Sequence, residues 1–183
     1  MRRRTVTADL DNNKIRKLLN YRESRNNIGT SGKPLEELAY YIFNIIPGIE
    51  ILAKNQLDKY HSHEIDLVLW NDQDRNGLYF LPPRIIIECK NWKDPVNVKE
   101  LSWFIQKVKS NGLSLGILVA QTGISGSESG GTHAYRELEK ALSEGCQIIV
   151  LTAKDIENIT NTEQIVEILK EKYRAPLIPV KNS

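Results

Sequence analysis

Two residues of opposite charge close an apolar run. In RIIIECK (84–90), three isoleucines lead into Glu88, Cys89 and Lys90. Alternate side chains of an extended chain share a face, so Glu88 and Lys90 emerge with Ile86, while Ile85, Ile87 and Cys89 point the other way. A carboxylate and an ammonium at the end of so apolar a strand are costly to desolvate unless paired or bound to a metal. A second carboxylate can reach the same patch. In HEIDLVLW (63–70), alternation places Glu64, Asp66, Val68 and Trp70 on one face and Ile65, Leu67 and Leu69 on the other. If the two strands form a hairpin, Asp66 and Glu88 lie together, and a hard divalent cation relieves their repulsion. A third carboxylate comes from PLEELAYYIF (34–43). With Leu35, Leu38, Ala39, Ile42 and Ile46 as the buried stripe of a helix, Glu36 falls at its flank and Glu37 faces solvent. Taken singly, Asp66, Glu88 and Lys90 would each more often belong to a structural ion-pair network. Their common face and order favour catalysis.

The elements that must position these residues follow from periodicity. A polar helix is expected over 11–25, capped by Asp11 or Asn12, then a Gly/Ser/Asn loop over 26–33. A helix starts near Pro34 and stops at Pro47-Gly48. Strands are expected at 49–54, 63–70, 84–90, 115–120 and 147–151, with Leu78–Leu81 able to extend a flanking strand. Helices are expected at 99–110, 133–143 and 162–173, and Thr152 with Asp155 suits a capping arrangement. Strands interleaved with helices make an α/β domain with a central mixed β-sheet flanked by helices.

Composition narrows the function. The chain has 183 residues, 40% hydrophobic and 26% charged, which fits one globular domain with its own core. No apolar run is long enough to span a bilayer, and the basic start MRRRTVTADLDNN lacks the apolar stretch of a secretory signal. Cys89 and Cys146 are far apart and have no metal-ligand spacing, so a reduced, cytoplasmic chain is expected. The net charge of +2 is modest for a nucleic-acid binder. Even so, Arg2, Arg3 and Arg4 could form a phosphate-contacting arm, although a solvated helix face is the plainer reading of the basic N-terminal region.

The helical Glu of PLEELAYYIF, the Asp of HEIDLVL and the segment IIIECKNWKDPV, in that order, resemble the PD-(D/E)xK nuclease superfamily and, within it, the Mrr-like restriction endonuclease family. Glu36, Glu64, Asp66, Glu88, Lys90, Asn91 and Trp92 carry the resemblance, which spans Lys33 to Asp155. It implies a restriction-endonuclease-like core; the nuclease domain is expected over 30–183, with 1–29 as an N-terminal helical extension. It also implies Mg²⁺, replaceable by Mn²⁺, and hydrolysis of DNA phosphodiester bonds in restriction or genome defence. On that resemblance Asp66 and Glu88, with the backbone carbonyl of Cys89, hold a Mg²⁺. Lys90 orients the attacking water and stabilises the transition state, and Glu36 binds a second ion or positions a water. Arg2, Arg3, Arg4, Lys93 and Lys99 are candidate phosphate contacts, and a homodimer is implied if both strands are cut. Two other functions share these residues: a catalytically silent nuclease-fold module that binds nucleic acid or protein, and a structure-specific nuclease that resolves junctions. His61 and His63 read as exposed polar sequence. For Trp92, Trp103 and Phe104, packing is the plainer role than stacking on bases.

Overall fold

The computed structural model describes residues 7–20, 33–57, 64–126 and 133–177. Arg2, Arg3, Arg4, His61 and His63 lie outside the described residues. Asp11 caps α1 (Asn12–Leu19), accepting the N–H groups of Asn13 and Lys14. Asn20 caps its described end, residues 21–25 of the expected helix lie outside the described residues, and Ile15 and Leu19 are buried beside α2 (Lys33–Phe43).

Next come β1 (Ile49–Leu57), β2 (Glu64–Asn71) and β3 (Arg84–Lys90), an antiparallel meander. Leu78–Leu81 do not extend a strand. The buried Asn71 amide donates to the carbonyls of Leu78 (2.8 Å) and Leu81 (3.1 Å), folding the segment into a turn whose leucines are fully buried. From β3 the chain crosses over α3 (Val98–Ser110) to β4 (Leu115–Ala120), then over α4 (His133–Ser143) to β5 (Gln147–Thr152), and both new strands pair in parallel. The short α5 (Ala153–Ile156) opens with the reciprocal Thr152–Asp155 capping box, and α6 (Thr162–Arg174) ends the described chain with a 3₁₀ turn. The described strands thus form a five-stranded mixed sheet in the order β1-β2-β3-β4-β5.

Each face of the sheet carries a core. One cluster joins Leu67, Leu69, Ile85, Ile87 and Val119 to α1, α2 and α6; the other joins Ile86, Leu118 and Ile148 to α3 and α4. This gives an α/β/α sandwich with β3 and β4 at its centre. α3 lies close on β4 because residue 116 is glycine: an added Cβ would come within 2.6 Å of the Val108 side chain and 2.8 Å of Phe104. That approach brings the flank of α3 to the end of β3.

Candidate active site where β2 leaves β3

The β2–β3 ladder runs from Trp70–Arg84 to Leu67–Ile87 and stops there. Beyond it, side chains take over from main-chain pairing. The Asp66 carboxylate accepts the Cys89 N–H at 2.6 Å, and Lys107 of α3 donates to the Glu64 carbonyl at 2.5 Å. The alternation expected along β2 breaks at the same point. Leu67 and Leu69 pack in one core as expected, but Ile65 packs in the other, with Ile86 and Leu101. Opposite Asp66 in the β1 register, between the Lys54–Leu67 and Gln56–Ile65 pairs, Asn55 adopts a left-handed φ of 51°. Asparagine accepts that conformation more readily than most residues, and from it the side-chain amide reaches the Glu36 carboxylate.

Glu88 lies at the centre of this splay and is 8% exposed. Its Oε1 is 2.9 Å from the Lys90 ammonium and its Oε2 is 2.5 Å from that of Lys107. Lys90 is also 3.7 Å from Glu100 and sits over the Trp92 ring, 5.0 Å from its centroid. Burial alone would lower the pKa of Lys90, but the charge and hydrogen bond of Glu88, and then the charge of Glu100, hold it above its usual value. It is therefore a permanent cation at neutral pH. It can stabilise negative charge and orient a water, but it is no general base.

Asp66 behaves oppositely. Burial, then the charge of Glu88 and more weakly that of Glu36, push it from 3.8 up to about 7, against the Cys89 hydrogen bond that favours the carboxylate. Glu36 approaches from α2, half-buried at the flank of the stripe while Glu37 is exposed, and the side-chain amide of Asn55 donates to its Oε2 at 2.9 Å. Cys89 turns its thiol into the core, where burial raises its pKa well above the usual range. The N–H and C=O of one strand residue point to the same edge, so the Cys89 carbonyl faces the splay along with the N–H that Asp66 accepts.

The structure thus brings Asp66, Glu88, the Cys89 carbonyl and Lys90 to one place, with Glu36 alongside. Among the described residues, no three His, Cys, Asp or Glu side chains close into a metal-holding group. The donors at hand are two carboxylates and one carbonyl, all hard oxygens, with an electrostatic strain on Asp66 that added positive charge relieves. That chemistry fits a divalent cation of the Mg²⁺ type, which takes few protein ligands. Beside these groups a cavity of about 360 Å³ is lined by Lys90, Lys99, Glu100, Trp103 and Lys107. Lys93 is exposed on the β3–α3 connection. Trp103 is 53% exposed, whereas Phe104 is core, so packing accounts for Phe104 alone of that pair.

Sequence reasoning missed Lys107 and Asn55. Glu100, Trp103 and Lys107 recur at i, i+3 and i+7 along one edge of the apolar stripe of α3, a signal that was present but cannot name Glu88 as the target. Nothing local marks Asn55.

No curated protein matches the chain. Among solved structures it is similar to the one titled the EndoMS–dsDNA2 complex, with a TM-score of 0.40 and 20% identity, covering 72% of this chain and 49% of that one. The chain therefore spans about half the length of that relative. The Mrr_cat family model, described as restriction endonuclease, matches residues 30–160, from the start of α2 through every strand of the sheet. The chain that builds this splayed carboxylate–lysine site belongs to the Mrr-type restriction endonuclease family.

Proposed function

We propose that this chain is a divalent-cation-dependent DNA endonuclease whose site is Asp66, Glu88 and Lys90, supported by Glu36. The observation that carries the reading is Asp66: a half-buried carboxylate beside Glu88, driven up to about 7 by desolvation and by that neighbouring charge, is a group that waits for positive charge. Asp66, Glu88 and the Cys89 carbonyl would hold the ion. When bound, a cation of this type supplies Lewis acidity at a phosphate oxygen and acidifies water.

The chain's own groups do the rest. Lys90, kept charged by Glu88 and Glu100, faces the cavity and stabilises negative charge that grows on the phosphate. Glu36, fixed by Asn55, holds a water on the α2 side. Lys99 at the cavity wall and Lys93 on the adjoining connection meet the flanking phosphates. Two copies of the chain would be needed to cut both strands in one encounter.

The test is to incubate the pure protein with linear, circular, single-stranded and branched DNA in Mg²⁺, Mn²⁺ or EDTA, beside Asp66→Ala. Cleavage in either metal, absent in EDTA and in the variant, is expected. If wild type leaves every DNA form intact in both metals, the nuclease reading is wrong. Preferential cutting of branched DNA would identify a structure-specific enzyme.

A further inference from the structure

Glu88 is gripped at both oxygens, yet only one of its partners was foreseeable from a strand motif. Lys90 arrives from two residues along β3; Lys107 arrives from a different layer of the sandwich and is itself buried, 8% exposed. A buried ammonium has to be matched by acceptors, and Lys107 has two: Glu88 Oε2 and the Glu64 carbonyl, each at 2.5 Å. Both lie in the gap left where the β2–β3 ladder ends. Lys107 therefore does two things at once. It ties the free end of β2 to the sheet, and it holds one oxygen of the carboxylate to which a divalent cation would be drawn.

We propose that Lys107 is the resident counter-ion of Glu88, which competes with a divalent cation for that carboxylate and so sets the affinity of the site. This rests on the cation-dependent reading above. A cation on Glu88 Oε2 would face an ammonium already within hydrogen-bond distance of the same oxygen, and like charges so close repel strongly where water is scarce. The two lysines are not equivalent. Lys90 has Glu100 and the Trp92 ring as alternative partners, so it can shift along them and remain paired. Lys107 keeps only the neutral Glu64 carbonyl when it releases Glu88, and its side chain also lines the 360 Å³ cavity. Once displaced, the ammonium would turn into the cavity that it lines, where a substrate phosphate could accept it. The competitor for the cation then becomes a ligand for the substrate, and cation and DNA binding reinforce one another.

The experiment is calorimetric titration of Mn²⁺ into the DNA-free chain at one fixed pH, for wild type, Lys107→Met and Lys107→Arg. Lys107→Met removes the competing charge and keeps the stem, so it should bind Mn²⁺ about tenfold tighter or more, the least expected from deleting one close like charge. Lys107→Arg keeps the charge and should bind as wild type does. A purely structural Lys107 gives the reverse order, because a loosened Glu88 and a frayed β2 weaken the site. Equal or weaker binding by Lys107→Met, with wild type binding normally, overturns this proposal and leaves the nuclease reading intact. Wild type that takes up no Mn²⁺ overturns the cation reading itself. If Lys107→Met does not fold alone, Mn²⁺ should restore a cooperative melt by replacing the lost charge; a variant still unfolded in excess Mn²⁺ overturns the proposal.

Discussion

Asp66→Asn isolates the electrostatic strain of the site in a single measurement on metal-free protein. The asparagine keeps the shape of the side chain, and its carbonyl oxygen can still accept the Cys89 N–H. What it removes is the ionised form. The unfolded carboxyl titrates at 3.8 and the folded one at about 7, so between these pH values the native state holds a proton that the unfolded state has released. By linkage, the stability contributed by that proton is fully present below pH 3.8 and is lost as the pH rises through about 7. A shift of this size corresponds to roughly 4 kcal/mol at 1.36 kcal/mol per pKa unit. Asp66 is only partly buried, and solvent screening reduces this toward roughly 2 kcal/mol. Asp66→Asn, which does not titrate, should therefore melt at about the same temperature as wild type near pH 4. At pH 8 it should melt roughly 4–8 °C higher, given about 2–4 °C per kcal/mol for a domain of this size. The assay is a series of thermal melts in EDTA across that range, reading the difference between the two proteins so that titrations common to both cancel. Adding Mn²⁺ at pH 8 should raise the wild-type melting temperature and leave the variant unmoved. A difference that is flat with pH, or a wild type that is the more stable protein at pH 8, would show that Asp66 is not strained and that the argument for a waiting carboxylate fails.

The other substitutions separate chemistry from binding. Lys90→Ala should fold, shift DNA in Ca²⁺ nearly as wild type does, and lose about 10²–10³ in single-turnover cleavage rate, the usual loss for one electrostatic contact made in the transition state. A variant that instead loses DNA binding would make Lys90 a phosphate contact. Glu36→Gln should slow cleavage far more than Glu37→Gln, because Glu36 alone is turned toward Asp66, and equal rates in the two variants would remove α2 from the chemistry. Trp103→Ala should lower the melting temperature far less than Phe104→Ala, since Trp103 is 53% exposed and Phe104 is buried. Trp103→Ala should also weaken single-stranded DNA binding by about 1–3 kcal/mol in a gel-shift titration, the ordinary contribution of one stacking ring.

The layers of this fold were readable from residue order because each element announces its own period. The spacing of Leu101, Phe104, Ile105 and Val108 can only be a helix with one buried stripe, and the unbroken LGILVA only a strand covered on both faces. Glu36 over Glu37 was legible for the same reason, since a helix fixes the direction of every side chain once its stripe is known. The turn at Leu78–Leu81 was not. Four hydrophobic residues in a row suit a strand, and what folds them is the amide of Asn71, seven residues upstream of the first of them. Local pattern carries no information about that bond.

The site was half legible, and the division follows its geometry. Residues lying on regular strand, Glu88 and Lys90, obey alternation and could be placed by counting. Residues at the break in regularity could not, because regular pairing is what counting assumes. Ile65 changes face, Asn55 turns left-handed, and Lys107 reaches across from α3, all within the stretch where β2 and β3 have stopped exchanging backbone hydrogen bonds. The break is also what makes the site. A continued ladder would pair the backbone of Asp66 and Glu64 with β3 and leave their neighbours no room, whereas the splay frees the Cys89 N–H and carbonyl edge and admits a carboxylate from one helical layer and an ammonium from the other. Irregular pairing costs stability where it occurs, and the flanking cores on both faces of β3 supply the rigidity that holds it open.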